Sequence, residues 1–325
     1  MGPGYVPECK NDRGSKGRPI TKGRTSGQTP QQACVISVLT ARFWRISLSQ
    51  MIWQGPLLTR IVILTATRVE FNAIGRVLPQ GSSVNCLGHA GLESQAESTH
   101  VLVIQTGMGP DKARSVTQKI LESEAWDVVI STGFAGALNS SPIGSLVIGQ
   151  EVLLLGQSGD LLSDCDLQSI KCHSDWVKTS LGIQLIDGYP LQSGRFVTTD
   201  RVLTQASQKV ILGKRSGAVA VDMESGAIGQ VAKHHGLPFL IVRSISDGIN
   251  EDLPVDFNMV LKPFGWVGGV GLVLSTPRCW KGLFRLYRNS KQAGIQLSNF
   301  FEIFFAIIST PTFSMAINKS RSEIP

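Results

Sequence analysis

The chain of 325 residues has no uninterrupted apolar run as long as a membrane-spanning helix. Such a helix needs roughly 18 or more predominantly apolar residues. Also missing are the GxGxxG fingerprint of dinucleotide-binding proteins and the GxxxxGK[ST] loop that cradles phosphates. The sequence therefore predicts neither a transmembrane protein nor a member of these two nucleotide-binding classes.

Cysteine is sparse and is not arranged for metal or disulfide chemistry. The six cysteines form no CxxC pair and have no histidine nearby at metal-ligand spacing: Cys9, Cys34, Cys86, Cys165, Cys172 and Cys279. A metal site is not predicted, and reduced thiols are favoured over a disulfide framework. We therefore expect a cytoplasmic protein.

Acidic residues are scarce in the first sixty positions, and this local shortage explains the charge of the whole chain. Nine Lys and Arg residues stand there against Glu8 and Asp12, an excess of seven, and the formal net charge of the chain is +7. The remaining residues are neutral in sum, so a basic groove for nucleic acid is not predicted in the folded body. A nucleic-acid-binding interpretation rests on residues 1–60 alone.

Buried strands alternate with helices from position 60 onward. Apolar runs of strand length occur at 61–66, 101–105, 127–131 and 146–155, and helices are predicted after the first two. This alternation predicts an α/β fold, a single three-layer domain with a mixed, mostly parallel twisted central sheet. Residues 156–192 are polar and show no clear pattern.

Composition divides the chain into three parts. Residues 1–59 are basic, begin with a segment almost free of large apolar groups, and are predicted to form a largely disordered extension. Residues 60–265 form the predicted domain. Residues 266–325 are predicted to hold a basic amphipathic helix and a tail, with an aromatic cluster at 300–308. Docking of this helix on the body is favoured over a weak membrane-surface contact through 278–308.

Acidic residues and glycine-rich turns fall where the predicted strands end. Glu70 follows the first strand, Glu224 begins a helix, and Asp247 ends a strand. Glycine turns are predicted at 106–109 and 132–136, where exposed backbone N–H groups can hold an anion or a polarised water. Each feature alone is typical of an ordinary turn or helix start. Together, three acids at one sheet edge would suit acid/base cleavage of a glycosidic bond.

The segments VDMES at 221–225 and RSISDG at 243–248 resemble the purine nucleoside and uridine phosphorylase superfamily. Glu70, the TGMG turn at 106–109 and the TGFAG turn at 132–136 follow the order of that superfamily's landmarks. The similarity spans roughly 61–262 and is greatest to the bacterial methylthioadenosine/S-adenosylhomocysteine nucleosidases. It implies a nucleoside phosphorylase-like fold, a small nucleoside as substrate, a homodimer, no nucleic acid as partner and no cofactor.

The resemblance also implies a role for each matching residue. Asp247, with the hydroxyl of Ser246, would protonate purine N7, and Glu224 would accept hydrogen bonds from the ribose. Glu70 would activate the attacking water. Met223 would pack against the sugar, Phe196 would stack on the base, and backbone groups around Val197 would read the edge of the base. Thr106 and the backbone of 106–109, including Gly107, would position the water, and Gly133 is a further implied substrate contact.

Three alternatives to a nucleosidase stay open from the sequence. Arg68 keeps a phosphate-dependent purine nucleoside phosphorylase possible, although Glu70 would repel phosphate. The basic helix after position 276 suits a lipid-linked adenosine. A non-enzymatic nucleoside-binding protein is disfavoured because all three acids are present. The threonine at 106 and the Thr-Arg-Val-Glu turn depart from the nucleosidase pattern and leave the 5′ substituent open.

Overall fold

A computed structural model describes residues 58–96, 98–155, 168–185, 187–253 and 278–310, and the statements below concern these ranges. The strands are β1 Thr59–Thr65, β2 Ser82–Cys86, β3 His89–Gln95, β4 Thr99–Gln105, β5 Val128–Ala137, β6 Leu146–Leu154, β7 Gln168–Lys171, β8 Leu191–Thr198, β9 Ala220–Asp222 and β10 Phe239–Asp247. The helices are α1 Arg68–Gly75, α2 Pro110–Ser123, α3 Ser174–Leu181, α4 Ala206–Ser216, α5 Ser225–His234 and α6 Arg278–Ile308.

The strands form one mixed sheet. Their order is β10–β6–β8–β9–β5–β1–β4–β3–β2, with β7 beside β6, and a further pairing of β5 with β10 closes five strands into a ring. Strands β4, β1, β5 and β10 run parallel to one another, as do β6, β8 and β9. Antiparallel pairs join the two groups. The predicted α/β class and the mixed, mostly parallel sheet are confirmed.

Helices cover both faces of this sheet, which gives the three predicted layers. Apolar side chains of α2 and α5 pack on one face, and those of α1, α3 and α6 pack on the other. Alternation along a strand serves both layers, since Leu64 of β1 faces the first and Ile63 the second. Burial on both faces explains why the central strands read as continuous apolar runs.

Several stretches differ from the sequence-based prediction. Strands β2 and β3 and helix α4 lie where no element was predicted. The predicted turn at 132–136 lies inside β5, because β10 runs alongside and pairs Arg243 with Gly133 and Asp247 with Gly136. The stretch 156–192, in which no element was predicted, contains β7 and α3. Strand β7 is only four residues long and is held by its pairing with β6, so it carries too short a pattern to be recognised in sequence.

Helix α6 is part of the folded body. The side chains of Phe300, Phe301, Phe304 and Phe305 are at most 2% exposed and lie in the second apolar layer. The docking predicted for this helix is therefore confirmed. The predicted membrane contact through 278–308 is corrected for its C-terminal half, since buried phenylalanines cannot also face a bilayer.

Several predicted segments lie outside the described residues. These are the extension before position 58, the junction at 265/266 and the tail after position 310. The division into 1–59, 60–265 and 266–325 therefore stays a prediction. Among the described helices, none is long and apolar enough to cross a membrane.

Candidate active site

A cleft of about 240 Å³ opens at the carboxyl-terminal edge of the parallel strands. This edge is where α/β proteins usually bind ligands. Its walls come from residues that follow β1, β4 and β8 and from the ends of β5, β9 and β10. The lining residues are Ala66, Thr67, Glu70, Met108, Phe134, Ala135, Gly136, Thr199, Arg201, Val202, Leu203, Lys209, Val221, Asp222, Met223, Glu224, Ser246, Asp247 and Leu253.

The cleft brings together the three acids selected from the sequence. Glu70, Glu224 and Asp247 all line it, together with Met223 and Ser246. Glu70 is 3% exposed and Glu224 is 7% exposed. Carboxylates are seldom this buried unless partners compensate for the lost water, so the partners of each acid define what it can do.

Glu70 is held by backbone N–H groups. One carboxylate oxygen accepts from the N–H of Thr67 at 2.7 Å and of Ala66 at 3.1 Å. The other accepts from the N–H of Phe134 at 2.8 Å. The residue also completes a capping box with Thr67 at the start of α1. Three donors occupy three of roughly four acceptor positions on a carboxylate, so one position remains for a ligand.

Glu224 caps the start of α5 and has a raised pKa. Its Oε1 accepts a hydrogen bond from the N–H of Gly109 at 2.9 Å. Burial, chiefly, raises the pKa of the Glu224 carboxyl to about 7, and the neighbouring charges of Asp222 and Glu70 act in the same direction. The guanidinium of Arg243 opposes this rise in pKa, from a distance of 3.7 Å.

Arg243 supplies a buried positive charge between these acids. Its guanidinium lies 2.9 Å from Asp222 Oδ2, and the side chains of both residues are 1% exposed. It also donates to the hydroxyls of Ser131 and Ser225 at 3.0 Å each. Asp222 accepts from the hydroxyl of Thr198 at 2.6 Å. The network fixes the floor of the cleft beneath Glu224.

Asp247 is paired with a buried lysine. The ammonium of Lys209 lies 2.5 Å from Asp247 Oδ2, and the lysine side chain is 1% exposed. The same ammonium donates to the carbonyls of Gly248 and Glu251 at 3.0 and 3.1 Å, so all three of its protons are used. The hydroxyl of Ser246 donates to Asp247 Oδ1 at 3.0 Å. Both oxygens of Asp247 are therefore oriented from the protein side.

Other predicted site residues lie off the cleft. Phe196 is 0% exposed and packs in the first apolar layer, and Val197 is 1% exposed in a neighbouring apolar cluster. The hydroxyl of Thr106 donates to backbone carbonyls of Thr65 and Gly107. Neither Thr106 nor Gly107 is among the lining residues. None of these four residues is among those that line the cleft, so the substrate contacts predicted for them stay predictions.

Gly133 has a different part in the site. It lies behind the cleft with φ +145°, and a Cβ built on it would fall 2.5 Å from Glu70 Oε1 and 2.6 Å from Arg243 Nη1. Glycine therefore allows the Glu70 carboxylate and the Arg243 guanidinium to approach the same point of β5.

Sequence reasoning missed several residues that the structure brings to the site. Arg243 interrupts the apolar run of β10, and a charge within a buried strand is a recognisable signal. Lys209 gave no such signal, because it lies in α4, where no element was predicted. Among the described residues that line the cleft, Phe134 is the only aromatic one. In the described part of the chain, no three His, Cys, Asp or Glu side chains converge as metal ligands would.

Comparison with known proteins decides the family. The sequence pattern of the phosphorylase superfamily matches residues 60–262, a range that contains every lining residue of the cleft. The chain belongs to the phosphorylase superfamily. Within it, the 5′-methylthioadenosine/S-adenosylhomocysteine nucleosidase of Shewanella halifaxensis is 29% identical over 216 residues, covering 61% of this chain and 90% of the relative.

Solved structures of superfamily proteins share this fold. The 5′-methylthioadenosine/S-adenosylhomocysteine nucleosidase of Helicobacter pylori, solved with butyl-thio-DADMe-Immucillin-A, has a TM-score of 0.61 at 16% identity and covers 77% of this chain and 99% of its own. The futalosine hydrolase of Helicobacter pylori has a TM-score of 0.60 at 16% identity, over 77% and 98% of the two chains. At these identities the similarity shows the fold alone.

Proposed function

We propose that this protein is a nucleosidase that cleaves the N-glycosidic bond of a 5′-substituted adenosine of the methylthioadenosine/S-adenosylhomocysteine type and releases adenine. The observation that carries the proposal is the meeting of Glu70, Glu224 and Asp247 in one cleft, each with different partners. Acids in distinct surroundings can take distinct roles in one reaction. The named superfamily relatives support the choice of substrate class.

Asp247 and Ser246 act on the leaving purine. Cleavage moves the electron pair of the glycosidic bond into the purine, and a proton transferred from the Asp247 carboxyl to N7 neutralises that charge. The transfer leaves Asp247 as the carboxylate that Lys209 and Ser246 stabilise. Asp247 faces the cleft while Lys209 and Ser246 hold its two oxygens in place. Phe134, which lines the same cleft, offers an apolar face to the substrate.

Glu224 and Met223 act on the ribose. The transition state of glycoside cleavage has oxocarbenium character, so hydrogen bonds from the ribose hydroxyls to an ionised Glu224 strengthen as the sugar becomes positive. Met223 lines the cleft beside it and packs its flexible thioether against the sugar.

Glu70 acts as the base for the attacking water. Its remaining acceptor position can receive the proton of a water at the edge of the cleft. Water is favoured over phosphate because the lining includes four acids, Glu70, Asp222, Glu224 and Asp247, which repel a phosphate dianion. Of the two lining cations, Lys209 is already committed to Asp247. Arg68 is exposed and does not line the cleft.

The decisive experiment is an adenine-release assay on the full chain. Methylthioadenosine, S-adenosylhomocysteine and inosine are compared with and without phosphate, and inosine reports release of hypoxanthine. We expect release from the first two without phosphate and little from inosine. Strict dependence on phosphate would instead establish the runner-up, a purine nucleoside phosphorylase. Absence of turnover with a retained nucleoside affinity would point to a binding protein.

The finer partner assignments belong to the same proposal. We infer a homodimer, and sedimentation equilibrium of the purified chain at several concentrations tests it. A lipid-linked adenosine is kept as the second substrate class, because the exposed start of α6 is basic and aromatic. Release of adenine from such a lipid, at a higher kcat/KM than from methylthioadenosine, would favour it.

A further inference from the structure

The first half of α6 exposes aromatic rings among cations. Phe284 and Tyr287 are 69% and 66% exposed, the highest values among the large apolar residues described. Four neighbouring cations are exposed as well. We call the following set the basic aromatic face: Lys281, Phe284, Arg285, Tyr287, Arg288 and Lys291. Phe284 and Tyr287 are three residues apart and therefore neighbours on the helix surface, so the two rings form one exposed apolar patch bordered by cations.

The members of this face lie on one side of the helix. At 100° per residue, the six positions fall within an arc of about 160°. On the opposite side of the helix lie Leu283, Leu286 and Ala293. The first two are partly buried and Ala293 is fully buried. No acidic residue occurs between Arg278 and Phe301, so the acidic residue of the helix nearest to the four cations is Glu302, about three turns beyond Lys291.

The direction of α6 places this face on the cleft side of the protein. The carbonyl of Ile308 accepts from Thr99 at the start of β4. Farther back along the helix, Gly294 lies beside Phe134, which lines the cleft. Gln292 lies beside Gly144 in the connection that follows β5. Residues 281–291 therefore extend beyond the carboxyl ends of the strands, the edge at which the cleft opens.

We propose that the basic aromatic face docks on an anionic lipid surface and holds the cleft edge near that surface. Lysine and arginine are attracted to acidic headgroups, and aromatic rings partition to the boundary between headgroups and acyl chains. A second copy of this chain fits poorly, because a two-fold contact would bring the same four cations together. Single-stranded nucleic acid is usually bound in a concave groove, whereas this face is the convex side of one helix.

The experiment is co-sedimentation of the full chain with vesicles of phosphatidylcholine, with and without about 30% phosphatidylserine as the anionic lipid. The helix variant carries K281Q, R285Q, R288Q and K291Q. Its matched control carries R13Q, K16Q, R18Q and K22Q, which removes the same charge from the N-terminal segment. A third variant, F284S with Y287S, removes the rings and leaves the charge unchanged.

We expect binding to the acidic vesicles that falls at least about tenfold in the helix variant, since each basic residue near an acidic bilayer contributes roughly fivefold. The variant with F284S and Y287S is expected to lose about as much vesicle binding as the helix variant, and the control variant is expected to lose clearly less. All substituted α6 residues are exposed, so each variant is expected to keep the thermal midpoint of the wild type.

Three results would overturn the proposal. Equal losses in the helix variant and the control would show that net charge alone drives binding. Wild-type binding in the rings variant would remove the aromatic contribution. A helix variant that loses affinity for a single-stranded oligonucleotide but not for vesicles would assign the face to nucleic acid. None of these outcomes depends on the enzymatic activity, so failure here leaves the proposed reaction untouched.

Discussion

Because the pKa of Glu224 is raised, we expect the proposed reaction to depend on pH near neutrality. In the proposed mechanism the ionised carboxylate accepts hydrogen bonds from the ribose, and with a pKa of about 7 this form is lost below neutral pH. We expect kcat/KM to fall about tenfold per unit as the pH drops below this value. The E224Q variant is expected to be much less active and not to show this fall in kcat/KM at acidic pH. A profile of kcat/KM from pH 5 to 9 measures both.

The same group links folding stability to pH in the opposite sense. A carboxyl whose pKa is higher in the folded protein than in the unfolded chain binds its proton more tightly when folded. Its contribution is therefore complete below about pH 4.5 and is lost as the pH rises through about 7, by up to about 3 kcal/mol. Urea unfolding at pH 5 and pH 8 should show a larger decrease for the wild type than for E224Q. Equal decreases would contradict the assigned role of burial.

Lys209 and Asp247 are expected to behave as a coupled pair. Loss of one partner of a buried ion pair leaves the other charge uncompensated and costs about 3–5 kcal/mol. We therefore expect K209M and D247N each to destabilise the fold, and the K209M/D247N double variant to lose clearly less than the sum. Urea unfolding of the four proteins gives the coupling free energy.

Additive losses would show that the two side chains do not interact. For the proposed reaction, we expect the D247N substitution to abolish adenine release. K209M is expected to lower kcat more than it changes KM, because all three protons of Lys209 are used within the protein and its main effect is to orient Asp247.

Residues differ in how well sequence can reveal them. Glu224 and Asp247 were found because each stands where an apolar strand ends, and their meeting in one cleft follows from parallel strands ending at one edge. Lys209 was not found, since its partner is 38 residues away in the chain and nothing local sets it apart from a surface lysine. Phe196 was predicted to stack on the base, and the structure packs its side chain in the first apolar layer. An aromatic residue in a buried strand faces one of two layers, and a short match does not decide which.

Strand β5 shows how an element can override its local sequence. The TGFAG segment is typical of a turn, yet it stays extended because β10 pairs beside it through Gly136. The glycines of this segment allow neighbouring side chains to approach the strand closely, and they do not reverse the chain. Gly133 leaves the space that Glu70 Oε1 and Arg243 Nη1 occupy. The pairing that decides this is between distant segments, which local pattern cannot predict.

Substitution of Gly133 tests this packing. In G133A the new Cβ would lie 2.5 Å from Glu70 and 2.6 Å from Arg243, at a φ of +145°. We expect a loss of more than about 2 kcal/mol in unfolding free energy, from displaced buried charges and backbone strain, with loss of activity. The matched control is G236A, whose φ is +66° and whose Cβ would have no neighbour within 4 Å.

The control carries only the backbone cost of about 1–2 kcal/mol. G133A and G236A variants with equal stability would show that the contacts around Gly133 relax freely. Thermal or urea unfolding of the two variants beside the wild type decides between these results.

On the scale of the whole molecule, the apolar runs revealed the central strands, whereas β2, β3, β7, α3 and α4 were not predicted. The sequence favoured docking of the last helix on the body, but the segments against which that helix packs could not be read from it. The aromatic cluster of the helix is compatible with a core or with a surface partner. The structure resolves this through contacts with distant segments: Ser298 donates to the carbonyl of Ala73, and Thr99 donates to that of Ile308. Removal of residues 276–325 would therefore remove core, and the loss of activity that followed would report unfolding.

Phenylalanines at the two ends of α6 are accordingly expected to respond very differently to the same substitution. Phe304 is 0% exposed and packs against Trp176 of α3 and against neighbouring rings of its own helix, so F304A opens a cavity and should cost about 3–5 kcal/mol. F284A removes a ring that is 69% exposed and should change the unfolding free energy by less than about 0.5 kcal/mol. Urea unfolding of both variants measures the difference, and comparable losses would mean that the start of α6 is packed as tightly as its end.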